Sequence, residues 1–82
     1  MKLIEFFATW CGPCKLQKPI VEKVTRDLGI EVELVDVDEF PEIAEKYGIK
    51  SVPVIIVLEQ NDSVKKKLLG FHTEAKLKAA LA

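Results

Sequence analysis

The stretch Lys2-Leu3-Ile4-Glu5-Phe6-Phe7-Ala8-Thr9-Trp10-Cys11-Gly12-Pro13-Cys14 decides how the rest of the chain is read. Lys2 to Phe7 is a compact strand, apolar on both faces except at Glu5. Thr9 to Pro13 is a turn, and Pro13 suits the first turn of a helix, where its missing N–H is no loss. The pair Cys11 and Cys14 therefore stands where a strand ends and a helix begins. A helix N-terminus offers unpaired N–H groups and a partial positive charge, and both favour the thiolate, the nucleophilic form of cysteine. Cys14 is one helical turn further in, within reach of any mixed disulfide formed at Cys11.

Working outward, Leu16, Ile20, Val24 and Leu28 recur every fourth residue, which predicts an amphipathic helix ending at Gly29. Pro19 lies inside the pattern and is expected to kink the helix, since the stripe continues beyond it. Ile30 to Val37 reads as a second strand. Pro41 to Tyr47 reads as a short helix stopped by Gly48, and the β-branched run Val54 to Leu58 as a buried third strand. Glu59 to Ser63 is a polar turn leading to a fourth strand, Val64 to Leu69. Thr73 can cap a last helix over Glu74 to Leu81. The order is βαβ-α-ββα, an α/β arrangement. The βαβ unit calls for a parallel pair with a right-handed crossover, and the five-residue turn for an antiparallel hairpin. A four-stranded mixed sheet with three helices results, with the first strand expected at its centre.

Eighty-two residues make one domain, residues 1–82, with no internal repeat or linker. Twelve Lys and Arg against thirteen Asp and Glu give a net charge of −1, which argues against general nucleic-acid binding. The longest wholly apolar run, Val54 to Leu58, is far short of the roughly 20 residues a membrane helix needs. The opening Met1 to Phe7 has a lysine before apolar residues, as signal peptides do, but Glu5 interrupts it and no small-residue cleavage site follows. A cytoplasmic protein is expected, a monomer without membrane or nucleic-acid partners.

Three other uses of the cysteines are weaker. A structural zinc site needs four ligands, whereas the chain has two cysteines and one distant histidine, His72. A disulfide across C-x-x-C closes too short a loop to constrain the unfolded chain much. An incidental buried pair would not need this position. Thiol–disulfide chemistry uses both residues where they stand.

Trp10-Cys11-Gly12-Pro13-Cys14, with Lys15 directly after it, Pro19 eight residues beyond Cys11, Lys46-Tyr47-Gly48-Ile49 and then Val52-Pro53, resembles the thioredoxin family. The resemblance covers almost the whole chain. Only ten residues precede Cys11, where thioredoxins normally carry an additional strand and helix, so the chain is most similar to the short thioredoxins, also called glutaredoxin-like. It implies a minimal thioredoxin fold and a protein-disulfide reductase working through its dithiol, with no metal or organic cofactor. It also implies protein disulfide substrates and a thioredoxin-reductase-type electron donor. The Gly12-Pro13 dipeptide is similar to that of reducing thioredoxins.

The same resemblance places a buried acid beneath the active site at Glu5, exchanging a proton with Cys14. The lysine that usually neighbours that acid falls at Leu34. Read from the residues alone, Glu5 could instead face water at an edge or pair with Lys2, because glutamate is seldom buried. The resemblance further implies that Pro53 is cis and faces Cys11, freeing the Val52 backbone to pair with an extended substrate segment. Trp10, Ile49 and Gly70 would line that groove with Gly12 and Pro13, while Phe71 could be groove or core.

His72, beside a turn, is expected to face solvent. Lys65-Lys66-Lys67 reads as protection of a sheet edge, and Asp36, Asp38 and Glu39 as a solvated strand end. Two further functions stay open. A glutathione-dependent glutaredoxin-type reductase would need a glutathione-holding stretch after the last strand, where only Gly70-Phe71-His72-Thr73 stands. A thioredoxin-fold binding module with regulatory cysteines would fail to catalyse insulin reduction.

Overall fold

Residues 1–82, all described by the computed structural model, form β1 (Lys2–Phe7), α1 (Gly12–Leu28), β2 (Glu31–Asp36), α2 (Pro41–Lys46), β3 (Val54–Leu58), β4 (Val64–Leu69) and α3 (Glu74–Leu81). The sheet order is β2-β1-β3-β4, with β1 parallel to β2, antiparallel to β3, and β3 antiparallel to β4. The expected βαβ-α-ββα order and mixed four-stranded sheet are what the chain adopts. The centre is shared: β1 and β3 are both interior, and every residue of β3 is buried.

Alternation along β1 and β3 divides the core between two faces. Leu3, Ile55 and Val57 pack with Val21 and Val24 of α1 and Leu77 and Leu81 of α3. Ile4, Phe6, Val54, Ile56 and Leu58 pack with Val35 and with Ala44 of α2. Leu3 is wholly buried, and truncating such a residue to Ala costs about 2–5 kcal/mol. Thr73 caps α3 as expected, its hydroxyl accepting the Lys76 N–H at 3.2 Å. Gly29 ends α1 in the left-handed region at φ 66°, where its N–H reaches the carbonyls of Arg26 and Thr25.

The buried face of α1 differs from the expected stripe. Cys14, Gln17, Val21, Val24 and Thr25 are inside, whereas Leu16 and Leu28 are exposed and Ile20 is half-buried. A strict four-residue repeat advances about 40° per step around a helix of 3.6 residues per turn, so its ends rotate away from the core. The helix runs unbroken through Pro19. Two of the three lysines of the edge strand β4 also do more than charge that edge. Lys66 Nζ donates to the Ala80 carbonyl at 2.7 Å, near the end of α3. Lys67 Nζ donates to the Tyr47 and Gly48 carbonyls, at 3.3 and 3.1 Å, at the end of α2. Each lysine meets carbonyls that a helix end leaves unpaired.

Candidate redox site

Cys11 is the N-cap of α1, in extended conformation, and Pro13 lies in the first turn. Its Sγ accepts the Cys14 backbone N–H at 3.2 Å, and its own N–H donates to the Ala8 carbonyl at 3.1 Å. The two cysteines are joined as a disulfide and are both buried. They pack with Ala8, Phe7, Val37 and Val52. The donor that approaches Cys11 is one of the unpaired N–H groups of a helix start, aimed at the sulfur.

Behind the cysteines, on the α1 face of the sheet, lies Glu5. It is 1% exposed, and neither carboxyl oxygen has a hydrogen-bond partner. The edge-facing alternative and the pairing with Lys2 do not occur, because Lys2 reaches Glu31 and Glu33 at 3.8 and 3.9 Å. Burial pushes the Glu5 carboxyl from 4.5 up to about 7; the nearby Lys18 charge opposes the rise and Glu22 adds to it. Glu5 lines a cavity of about 300 Å³ together with Phe7, Ala8, Thr9, Cys14, Lys15, Lys18 and Leu34. Leu34 is the register partner of Glu5 on β2, so the strand brings no cation to the acid. The cations around it, Lys15 and Lys18, come from α1 instead.

On the other side of the disulfide, the Val52-Pro53 peptide is cis. Trp10, Ile49 and Val52 converge with Val37, Lys50 and Ser51 around a cavity of about 150 Å³. Trp10 is 71% exposed, and its indole N–H is held by Asp38 Oδ2 at 2.8 Å. Asp36 Oδ1 in turn accepts the Asp38 and Glu39 N–H groups, at 2.9 and 3.4 Å. The acidic strand end therefore serves to position Trp10. Gly70 and Phe71 do not line this cavity. Gly70, at φ 81°, donates its N–H to the Pro53 carbonyl at 3.0 Å, and Phe71 is exposed rather than core. Gly12 and Pro13 are exposed at the helix start.

Gln17 is a residue the sequence reading passes over. It is completely buried one turn beyond Cys14, and its amide meets the His72 main chain twice. Oε1 accepts the His72 N–H at 2.8 Å and Nε2 donates to the His72 carbonyl at 3.0 Å. His72 is half-buried rather than solvent-facing, with Nδ1 2.9 Å from the Gly70 carbonyl. A glutamine inside a helical repeat reads as a solvated position, and nothing local marks a partner 55 residues away.

The thioredoxin family model matches residues 1–82. A thioredoxin of Staphylococcus epidermidis is 39% identical over 83 residues, covering 99% of this chain and 79% of the relative. One from Rickettsia bellii is 38% identical over 77 residues, covering 92% and 72% respectively. Among solved structures, a mutant thioredoxin from Halobacterium salinarum superposes with a TM-score of 0.90 at 32% identity, covering 95% of this chain and 68% of that one. With a disulfide between Cys11 and Cys14 at the start of α1, this chain belongs to the thioredoxin family and is a thiol–disulfide oxidoreductase that reduces protein disulfides.

Proposed function

We propose that the two cysteines have unequal roles, with Cys11 attacking and Cys14 resolving. The observation that carries this is the N-cap position of Cys11, whose sulfur accepts the Cys14 N–H. The Cys11 thiolate attacks one sulfur of the substrate disulfide, and the other substrate sulfur leaves as a thiolate. The Cys14 thiolate then attacks Cys11 Sγ and expels the second substrate thiolate. Cys11–Cys14 ends as the disulfide, two electrons having passed to the substrate. Glu5, ionised in part near neutral pH, takes the Cys14 proton across the cavity that both line. Trp10, Ile49, Val52 and Pro53 form the groove for an extended substrate segment, with Gly12, Pro13 and Gly70 around it.

Residues 1–82 act as one domain in the cytoplasm, with a thioredoxin-reductase-type electron donor restoring the dithiol and no further cofactor. The full-length family match and the bacterial relatives support this setting. No helix is long and apolar enough to cross a membrane. Insulin reduction coupled either to a thioredoxin reductase with NADPH or to glutathione with its reductase tests the donor. Turnover is expected with the first, and efficient turnover with glutathione alone would overturn the assignment.

A further inference from the structure

We propose that Gln17 is a positioning residue for substrate recognition, holding the Gly70–His72 segment in the shape that completes the groove. This rests on the groove reading above. The segment is pinned at two points. Gly70 N–H is tied to the Pro53 carbonyl at 3.0 Å, and both main-chain groups of His72 are tied to the Gln17 amide. The first tie reaches the carbonyl of Pro53, the residue after the cis bond, and the second the helix that carries Cys14. The segment belongs to neither β4 nor α3, and Phe71 is exposed.

The primary amide is the neutral side-chain group that offers one acceptor and two donors at the reach of a glutamine. It answers an N–H and a carbonyl on one residue at once, and its full burial leaves no water to replace it. An apolar residue there would leave both His72 groups to find water by moving outward. The Gly70 N–H and its link to the Pro53 carbonyl would move with them. Gln17 is absent from the residues packed with the disulfide and from the linings of both cavities, so the thiol chemistry does not need it. Loss of the clamp should thus weaken capture of a protein chain and spare the reaction with a small disulfide.

The test compares insulin with the small aromatic disulfide DTNB as substrates, for wild type, Gln17→Leu and Trp10→Ala. In Gln17→Leu the KM for insulin is expected to rise about fivefold, the loop having to be ordered on binding. The DTNB rate and the alkylation rate of Cys11 should stay within about twofold of wild type. Parallel losses with both substrates would mean a merely structural role and overturn the proposal, as would an unchanged insulin KM. Trp10→Ala separates the two readings: if it too leaves the insulin KM unchanged, the groove reading itself fails.

Should Gln17→Leu not fold, Gln17→Glu decides. A protonated carboxyl carries one donor and one acceptor and reproduces both contacts, while the ionised form turns an oxygen on the His72 carbonyl. The ratio of its insulin KM to that of wild type is expected to rise between pH 5.5 and 8.5. A flat ratio over that range would overturn the clamp.

Discussion

The two sulfurs of the disulfide face different surroundings. Cys11 caps the start of α1, where a backbone N–H of the kind any helix would supply points at its sulfur. Cys14 lines a cavity shared with one carboxyl that has no hydrogen-bond partner, a space that no secondary structure requires. Thiolate stabilisation can thus be built from main chain alone and tolerates many side chains. Proton removal inside the protein needs a particular side chain, whose burial the fold must tolerate.

The sharpest way to break this comparison is to remove each sulfur in turn. Cys11→Ser is expected to lose insulin reduction entirely. Cys14→Ser should still attack and then stall, so a mixed disulfide with substrate accumulates on non-reducing gels with that variant alone. Equal trapping by both variants, or faster alkylation of Cys14 than of Cys11 in the reduced wild type, would make the two sides equivalent.

The next effect should fall on one step only. Glu5→Gln removes the proposed proton acceptor from the Cys14 side and leaves the N-cap of Cys11 untouched. Resolution of the mixed disulfide should slow by about 100-fold, the usual contribution of a positioned base, while the first attack changes little. Rapid-quench measurement of the mixed-disulfide lifetime checks this. Equal slowing of both steps would show that Glu5 acts on the site as a whole.

The same contrast explains which parts of the molecule were legible in its sequence. The strand-to-helix switch at Cys11, the caps at Gly29 and Thr73 and the buried run Val54 to Leu58 are local patterns, and all appear where the residues place them. Glu5 was legible as an anomaly, and as a buried acid through the family resemblance; the residues alone left exposure open, because its burial depends on α1 and Leu34 closing over it from two other elements. The interior face of α1 was misread because a four-residue repeat drifts around the helix. Gln17 and Lys67 were invisible as structural ties because their partners are main-chain groups far along the chain, which carry no residue-type signal.

Stability should show Glu5 as well. In the folded chain its carboxyl titrates at about 7 instead of 4.5, so between these values the folded state holds a proton that the unfolded state has lost. Folding stability contributed by this group is therefore greatest below pH 4.5 and falls as pH rises through 7. The full difference is about 3 kcal/mol. In Glu5→Gln that decline should vanish, so the variant gains on wild type from acidic to mildly alkaline pH. Denaturant midpoints of the oxidised proteins at pH 4, 6 and 8 test it, and parallel pH profiles would place Glu5 in contact with water.

The smallest expected effect tests whether the cation on the Cys14 side really comes from the helix. Lys18 shares the Glu5 cavity, and its charge holds the carboxyl lower than burial alone would. Lys18→Met should therefore raise the Glu5 titration by a fraction of a unit, the size a partly solvated charge exerts. The pH window of declining stability should extend upward by the same amount, and the mixed-disulfide lifetime should change at pH values where the ionised fraction differs. Lys15→Met is the control, since Lys15 lines the cavity but its charge does not figure in the shift of Glu5. Titration of the Glu5 side-chain carboxyl carbon by NMR reads both variants directly. A fall on removing Lys18, or an equal rise on removing Lys15, would mean that water in the cavity rather than one helical lysine sets the charge of Glu5.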